Sequence, residues 1–242
     1  DVDDPRAIAC GVEVVEAVLT REESDFIVAQ AVSHASRHGW STTRHGDVPT
    51  TDLPHGDLPS IRPYVDRAFS SADASVRRRC NMTAEDRLSV NDVFVVKYEG
   101  ARGQQAGLKK HRDGSFVSFI VHLSNPEDYE GGGTFFFAQD RMVQTAKGSS
   151  AVFGGGNEHM GVDVRKGTRF IIAGFLGLNK HCCWTKTRSY WDRLAAFVLQ
   201  RMGDGSNVGL VDRLVMASIL LLVAALAAAA WCCIFGLLAA LR

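Results

Sequence analysis

His111 and Asp113 are separated by one residue, within the stretch from Lys109 to Leu123. On a β-strand, residues i and i+2 point to the same face, so a histidine nitrogen and a carboxylate oxygen could converge on one point. A third ligand must come from elsewhere in the chain, and His159 is the leading candidate. Two histidines and one carboxylate on one side of a metal form the facial triad typical of non-haem Fe(II) sites, which leaves the other coordination positions open.

A candidate anion site accompanies this candidate metal site. Arg169 lies ten residues after His159. If the intervening segment forms a hairpin, Arg169 returns to the same cavity, where a guanidinium can bind a carboxylate through two hydrogen bonds. Tyr98, at the end of the strand that precedes His111, could hydrogen-bond the same anion.

Two helices are predicted ahead of these residues. Thr20 and Glu23 form a capping-box signature, and apolar residues at helical spacing follow as far as Gly39. A second helix is predicted from Ile61 to about Cys80. Residues 12–19 are predicted to form a short strand, and the proline-rich residues 40–60 are predicted to form a loop.

The pattern after the second helix is that of short strands with glycine-rich turns. Helices followed by strands argue against alternating βαβ units, and the strand spacing favours a sandwich or barrel. The predicted strands are residues 89–98, 116–123, 134–137, 150–153, 161–164 and 169–176.

The charge balance and the C-terminus limit the classes of partner. Lys+Arg and Asp+Glu number 27 each, so no global field attracts nucleic acid, and we expect no nucleic-acid partner.

Residues 214–241 carry no charge, and a bilayer core needs only about 20 apolar residues in a helix, so they predict a transmembrane helix. A last helix is predicted over residues 184–202. Because the sequence begins at Asp1, we expect a fragment or a processed chain.

The cysteines leave the redox compartment open. The chain has six cysteines but no Cys-x-x-Cys pair, so we expect no structural zinc site. Among the other histidines, His122 lies within a predicted strand and is interpreted as structural. We do not expect His45 and His55 to line a substrate groove.

Several motifs occur together in a characteristic order. They are DVFVVKY ending at Tyr98, HRD at 111–113, EGGGTFFF at 130–137, KGSSAVF at 147–153, and His159-x-Gly followed by GTRF at 167–170. With these motifs, residues 12–180 resemble the prolyl 4-hydroxylase and lysyl hydroxylase branch of the Fe(II)/2-oxoglutarate dioxygenases.

The resemblance implies a mainly β fold with flanking α-helices, a double-stranded β-helix (a cupin-like jelly roll) with N-terminal helices. It implies that His111, Asp113 and His159 bind Fe(II) and that Arg169, assisted by Tyr98, binds 2-oxoglutarate. Prolyl 4-hydroxylases usually have lysine at the position of Arg169, whereas lysyl hydroxylases have arginine, so the choice between prolyl and lysyl substrates stays open.

The implied reaction is procollagen-proline 4-dioxygenase-like. A prolyl or lysyl side chain of a protein or peptide is hydroxylated with O2, while 2-oxoglutarate is converted to succinate and CO2 and L-ascorbate keeps the iron reduced. One alternative is the same chemistry on a small molecule. Another is a catalytically silent, membrane-tethered binding module.

The expected organisation has four parts: a helical support region (1–88), the dioxygenase core (89–182), a helix and linker (183–213) and a single transmembrane helix (214–241). Arginines ahead of the apolar segment favour a cytosolic catalytic domain. The glycosylation sequon at Asn81 and the resemblance instead favour the lumen of the endoplasmic reticulum, so the side of the membrane stays open.

Overall fold

The computed structural model describes residues 10–46, 48–80, 82–83 and 85–180, all within one unit that spans residues 1–181. The predicted helix at 184–202, the apolar segment 214–241 and the sequon at Asn81 lie outside these residues. Within the described part of the chain, no helix is long and apolar enough to cross a membrane. The transmembrane helix therefore stays a prediction.

Two helices pack on one face of the protein, as predicted. Helix α1 spans Arg21–His38, and α2 spans Arg62–Arg79. The capping box at the start of α1 is present: the Thr20 hydroxyl accepts from the Glu23 amide at 3.1 Å, and the Glu23 carboxylate accepts from the Thr20 amide at 2.8 Å. The helix ends at Gly39, whose φ of 82° suits glycine.

The strands form two antiparallel sheets. The major sheet has the order β1-β9-β5-β11-β3-β2, with β6 also paired to β11, and the minor sheet has the order β4-β10-β7-β8. The strands are β1 (Val12–Val15), β2 (Asp52–Pro54), β3 (Asp86–Glu99), β4 (Leu108–His111), β5 (Val117–His122), β6 (Tyr129–Gly131), β7 (Thr134–Phe136), β8 (Arg141–Val143), β9 (Ser150–Gly154), β10 (His159–Gly161) and β11 (Val164–Lys180). Few helices and two antiparallel sheets agree with the predicted jelly roll.

The major sheet has one face against the helices and the other toward the minor sheet. Along β5, Val117, Phe119 and Val121 belong to the apolar cluster that contains residues of α1 and α2, whereas Ile120 belongs to a second cluster. Successive residues of a strand point to opposite faces, so Ser118 and Ile120 face the interior between the sheets. That interior contains the candidate site.

One predicted strand is wrong. Residues 161–164 do not form one strand, because Gly161 ends β10 in the minor sheet and Val164 begins β11, where it pairs with β6. The connecting residues bond to loops instead: the Val162 amide donates to the Gly133 carbonyl, and the Asp163 carbonyl accepts from the Gly132 amide. Strands β10 and β11 therefore belong to different sheets and do not form the expected hairpin.

A disulfide joins Cys10 to Cys80, across a sequence separation of 70 residues. It links the segment before β1 to the end of α2. Arg79 reinforces the connection, since its guanidinium donates to the Cys10 carbonyl and to the Glu13 carboxylate. This pairing was not predicted from the cysteine spacing.

Candidate metal and anion site

The two candidate histidine ligands lie opposite each other on neighbouring strands of the minor sheet. His111 is the last residue of β4, His159 is the first residue of β10, and the two residues are register partners. Opposed residues of an antiparallel pair have adjacent side chains, and here the ring centroids are 4.3 Å apart.

Asp113 completes the cluster. Its Oδ1 lies 3.3 Å from Nε2 of His111 and 3.8 Å from Nε2 of His159. The three ligand atoms lie within 4.8 Å of one another, a group that could hold a metal ion. A His-Asp-His cluster of this kind fits the iron site of a facial triad.

Asp113 reaches this position from a loop rather than from a strand. Strand β4 ends at His111, so the same-face argument from spacing does not apply. The Asp113 amide donates instead to the Gly155 carbonyl at 2.9 Å, and Oδ2 of Asp113 accepts from the Ser118 hydroxyl at 2.5 Å. Tertiary contacts orient the carboxylate.

Backbone carbonyls fix the tautomers of both histidines. Nδ1 of His111 lies 2.7 Å from the Lys109 carbonyl, and Nδ1 of His159 lies 3.0 Å from the Asn157 carbonyl. Because a carbonyl only accepts, each Nδ1 must carry the proton in the neutral ring, which leaves the lone pair on Nε2. Both lone pairs are thus on the nitrogens nearest to Asp113.

Burial and mutual charge act on the three groups together. Burial raises the pKa of Asp113, but the bond to His111, the charge of His159 and the bond from Ser118 outweigh it, so the net pKa is lowered. Burial lowers the pKa of His159. The carboxylate is therefore ionised, and His159 favours its neutral form. The pKa of His111 is raised instead, because burial, which lowers it, is outweighed by the hydrogen bond to Asp113 and by the charge of that carboxylate. A metal ion would displace the Nε2 proton of His111, since a metal binds the neutral imidazole.

Arg169 lies in the same cavity. Its side chain is 1% exposed, and its partners among the described residues are neutral: NH1 donates to the Gly133 carbonyl at 3.3 Å, NH2 donates to the Thr134 hydroxyl at 3.4 Å, and the Tyr129 hydroxyl is a further contact. Tyr98 is its register partner on β3, and the guanidinium lies 5.5 Å from the centre of the Tyr98 ring. Burial lowers the pKa of Arg169 and raises that of Tyr98.

No carboxylate pairs with Arg169 among the residues that the structure describes, and its Nε–H has no partner there. A buried guanidinium without an anion is costly, because charges are expensive to desolvate. A ligand with a carboxylate group would supply the missing partner.

The His111–Asp113–His159 cluster and Arg169 line one cavity, which has a volume of about 270 Å³. One end holds Arg169, Tyr98 and Thr134. Its walls also include His45, which was not expected to line a groove. The His45 ring packs at 4.7 Å from that of Phe94, and His55 instead lies near the Val93 carbonyl at 3.0 Å.

An ion-pair cluster holds the segment that carries His45. The Arg44 guanidinium contacts Asp52 at 2.5 Å and Asp92 at 2.7 Å, and Asp52 is fully buried. Asp52 begins β2 and Asp92 lies within β3, so the loop is fixed to the edge of the major sheet.

Sequence reasoning missed two buried polar residues of the site, Ser118 and Thr134. Both line the cavity, but serine and threonine are so common in strands that nothing in the spacing distinguishes them. His122 is buried as well. Burial, with a further effect of the Arg169 charge, lowers the pKa of His122 to about 3, so its ring is neutral.

No family model matches the chain, and no curated protein matches it in sequence. Solved structures do match its fold. The viral collagen prolyl hydroxylase of Paramecium bursaria Chlorella virus-1, in complex with 2OG, is 19% identical, and the match covers 68% of this chain and 94% of that one, with a TM-score of 0.51. A prolyl hydroxylase from Trichoplax adhaerens, in complex with a hypoxia inducible factor oxygen degradation domain peptide fragment, is 13% identical, with 70% and 88% covered and a TM-score of 0.52.

A third similar structure is the epimerase SnoN, in complex with Fe3+, alpha ketoglutarate and nogalamycin RO. It is 12% identical, the match covers 69% of this chain and 78% of SnoN, and the TM-score is 0.52. The protein thus has the jelly-roll fold of the 2-oxoglutarate/Fe(II) oxygenases, which confirms the predicted resemblance at the level of the fold. Its structural neighbours include prolyl hydroxylases and an enzyme of small-molecule biosynthesis.

Proposed function

We propose that this chain is an Fe(II)- and 2-oxoglutarate-dependent dioxygenase. The observation that carries the proposal is the fully buried Arg169, which lacks a carboxylate partner among the described residues and lines the same cavity as the His111–Asp113–His159 cluster. A metal site and an unpaired buried cation in one cavity suit a cosubstrate that has a metal-chelating end and a distal carboxylate.

The residues that line the cavity would bind the metal ion and the cosubstrate. His111, Asp113 and His159 would hold Fe(II) from one side, and Arg169 would bind the distal carboxylate of 2-oxoglutarate, with Tyr98 and Thr134 beside it. Bound iron would supply O2 activation, coupled to decarboxylation of 2-oxoglutarate to succinate and CO2 and to transfer of one oxygen atom to the substrate. Apolar walls would exclude water from the cavity.

The substrate we propose is a prolyl or lysyl side chain of a protein or peptide. The peptide bound to the Trichoplax adhaerens neighbour supports this class, while the nogalamycin ligand of SnoN supports the small-molecule alternative. Ascorbate is proposed as the reductant that maintains Fe(II).

The test is turnover by the purified protein with Fe(II), 2-oxoglutarate and ascorbate. We expect succinate, and a mass gain of one oxygen atom on a peptide from a panel that contains proline and lysine. His111→Ala should abolish both products, whereas His38→Ala, at the exposed end of α1, should change neither. Full turnover by His111→Ala would refute the metal assignment.

We also propose an oxidising compartment, such as the lumen of the endoplasmic reticulum, with attachment to the membrane through residues 214–241. The Cys10–Cys80 disulfide supports this, because such bonds persist mainly in oxidising environments. Protection of the catalytic unit from added protease in intact vesicles would be expected, and complete digestion would contradict it.

A further inference from the structure

The two oxygens of Asp113 have different surroundings. Oδ1 faces Nε2 of His111 at 3.3 Å and Nε2 of His159 at 3.8 Å. Oδ2 accepts a hydrogen bond from the Ser118 hydroxyl at 2.5 Å. An ionised carboxylate has no proton to donate, so the direction of this bond is fixed: Ser118 donates.

Ser115 extends the arrangement by one step. Its hydroxyl lies 2.8 Å from that of Ser118. Since the single proton of Ser118 points to Asp113, the Ser118 oxygen must accept from Ser115. Ser115, Ser118 and Asp113 are 2%, 1% and 6% exposed, so water does not compete with these bonds, and each bond polarises the next.

We propose that Ser118 is a positioning residue: its hydroxyl occupies Oδ2 of Asp113 with a hydrogen bond, so that only Oδ1 of the carboxylate binds the metal. The inference rests on the proposed function, because it concerns how an ion is held at the triad. A carboxylate that used both oxygens would take one more coordination position. Single-oxygen binding leaves open the positions that a chelating cosubstrate and O2 require.

The chain offers a closely matched control for this role. Ser150 lies on β9, next to β5 in the major sheet, and is also 1% exposed. Its hydroxyl has no hydrogen-bond partner among the residues that the structure describes. Ser150→Ala therefore removes an equally buried hydroxyl that does not touch a candidate ligand.

The experiment measures binding of Co²⁺, a redox-stable probe, by titration calorimetry and by its visible absorption, which reports coordination geometry. We expect Ser118→Ala to weaken Co²⁺ binding by roughly 10- to 100-fold, the usual effect of losing a hydrogen-bond partner of a ligand. The Co²⁺ spectrum should change as well. Ser118→Thr retains the hydroxyl and should restore most of the affinity and the wild-type spectrum, and Ser150→Ala should match the wild type in both.

Ser115→Ala keeps Ser118 in place and removes only its donor. It should weaken binding less than Ser118→Ala, and it provides the decisive comparison with Ser150→Ala if Ser118→Ala does not fold. If Ser118→Ala binds Co²⁺ with wild-type affinity and a wild-type spectrum, the inference is overturned and the metal site stands. If Ser118→Ala does not fold, the same result in Ser115→Ala overturns it. Failure of the wild-type protein to bind Co²⁺ would overturn the proposed metal site, and this inference with it.

Discussion

Replacing Arg169 by methionine should stabilise the ligand-free protein and abolish its response to 2-oxoglutarate. Arg169 is 1% exposed and has only neutral partners among the described residues, so the folded state has to desolvate a charge. Such a charge costs several kcal/mol, whereas a hydrogen bond that involves a charged group returns about 1.5–3 kcal/mol at good geometry, and the bonds to Gly133 and Thr134 are long, at 3.3 and 3.4 Å. Methionine is similarly long and unbranched but uncharged. We therefore expect the free energy of unfolding to rise by about 1–3 kcal/mol.

The effect of ligand should have the opposite sign. With bound metal and 2-oxoglutarate at ~100 times its Kd, the wild-type protein should gain about 2.7 kcal/mol from mass action. Loss of one partner of a buried charge pair costs about 3–5 kcal/mol, which corresponds to roughly 10²- to 10⁴-fold weaker binding. The Arg169→Met protein should therefore gain almost nothing at the same concentration.

Urea denaturation, with and without 2-oxoglutarate, measures both effects in the same samples. Arg79→Met is the control, because Arg79 is a partly buried arginine that does have an acidic partner, Glu13 at 3.0 Å. That variant should be less stable than the wild type, by about 1–3 kcal/mol, and should keep the full response to 2-oxoglutarate. The reasoning is refuted if Arg169→Met is destabilised without ligand and still responds to 2-oxoglutarate.

Three further predictions concern stability. His122 titrates near pH 6.5 when unfolded, but its pKa in the folded protein is about 3, so the unfolded state binds an extra proton as the pH falls. Between pH 7.5 and 5 this should cost about 2 kcal/mol of stability, a loss that His122→Phe should lack in denaturation curves at both pH values. Cys10→Ser opens a loop of 70 residues and should lower the free energy of unfolding by about 4 kcal/mol. If this variant and the wild type are equally stable under non-reducing conditions, the disulfide is excluded. Gly155→Ala would place a Cβ 2.1 Å from the Ser115 carbonyl oxygen, so it should lower the free energy of unfolding by about 1–3 kcal/mol and weaken metal binding. The control is Gly114→Ala, whose Cβ would meet nothing within 4 Å and which should change neither measurement appreciably.

Local signals in the sequence predicted the elements that a few neighbouring residues determine. The capping box at Thr20 and Glu23 lies within four residues, and the helix begins there. The long strands β3 and β5 follow from β-branched and aromatic runs. The convergence of His111 and Asp113 was predicted for a reason that is only partly right, because Asp113 lies beyond the end of β4.

Contacts between distant parts of the chain were not predictable in this way. Cys10 pairs with a cysteine 70 residues away. The contact between Ser118 and Asp113 spans only five residues, but it depends on a single hydroxyl that no pattern distinguishes. The position of Arg169 was predicted from a hairpin that does not form. It reaches the cavity because β11 pairs with β3 and places Arg169 beside Tyr98. Strand register, which no local pattern encodes, therefore decided the position of Arg169.

Strand β11 also determines which side chains of the cavity wall can be replaced without moving Arg169 relative to the metal site. It pairs Arg169 with Tyr98 at one end of the cavity, and Phe175 with Ser118, the partner of Asp113, toward the other. The six-residue interval is about 20 Å of extended chain, with β3 on one side and β5 on the other for most of its length. A single inserted residue would turn every later side chain to the opposite face. The spacing between the anion end and the metal end therefore resists change, whereas His45, Gly46 and Val48, on the loop at the cavity wall, can accept new side chains and new substrates without altering it.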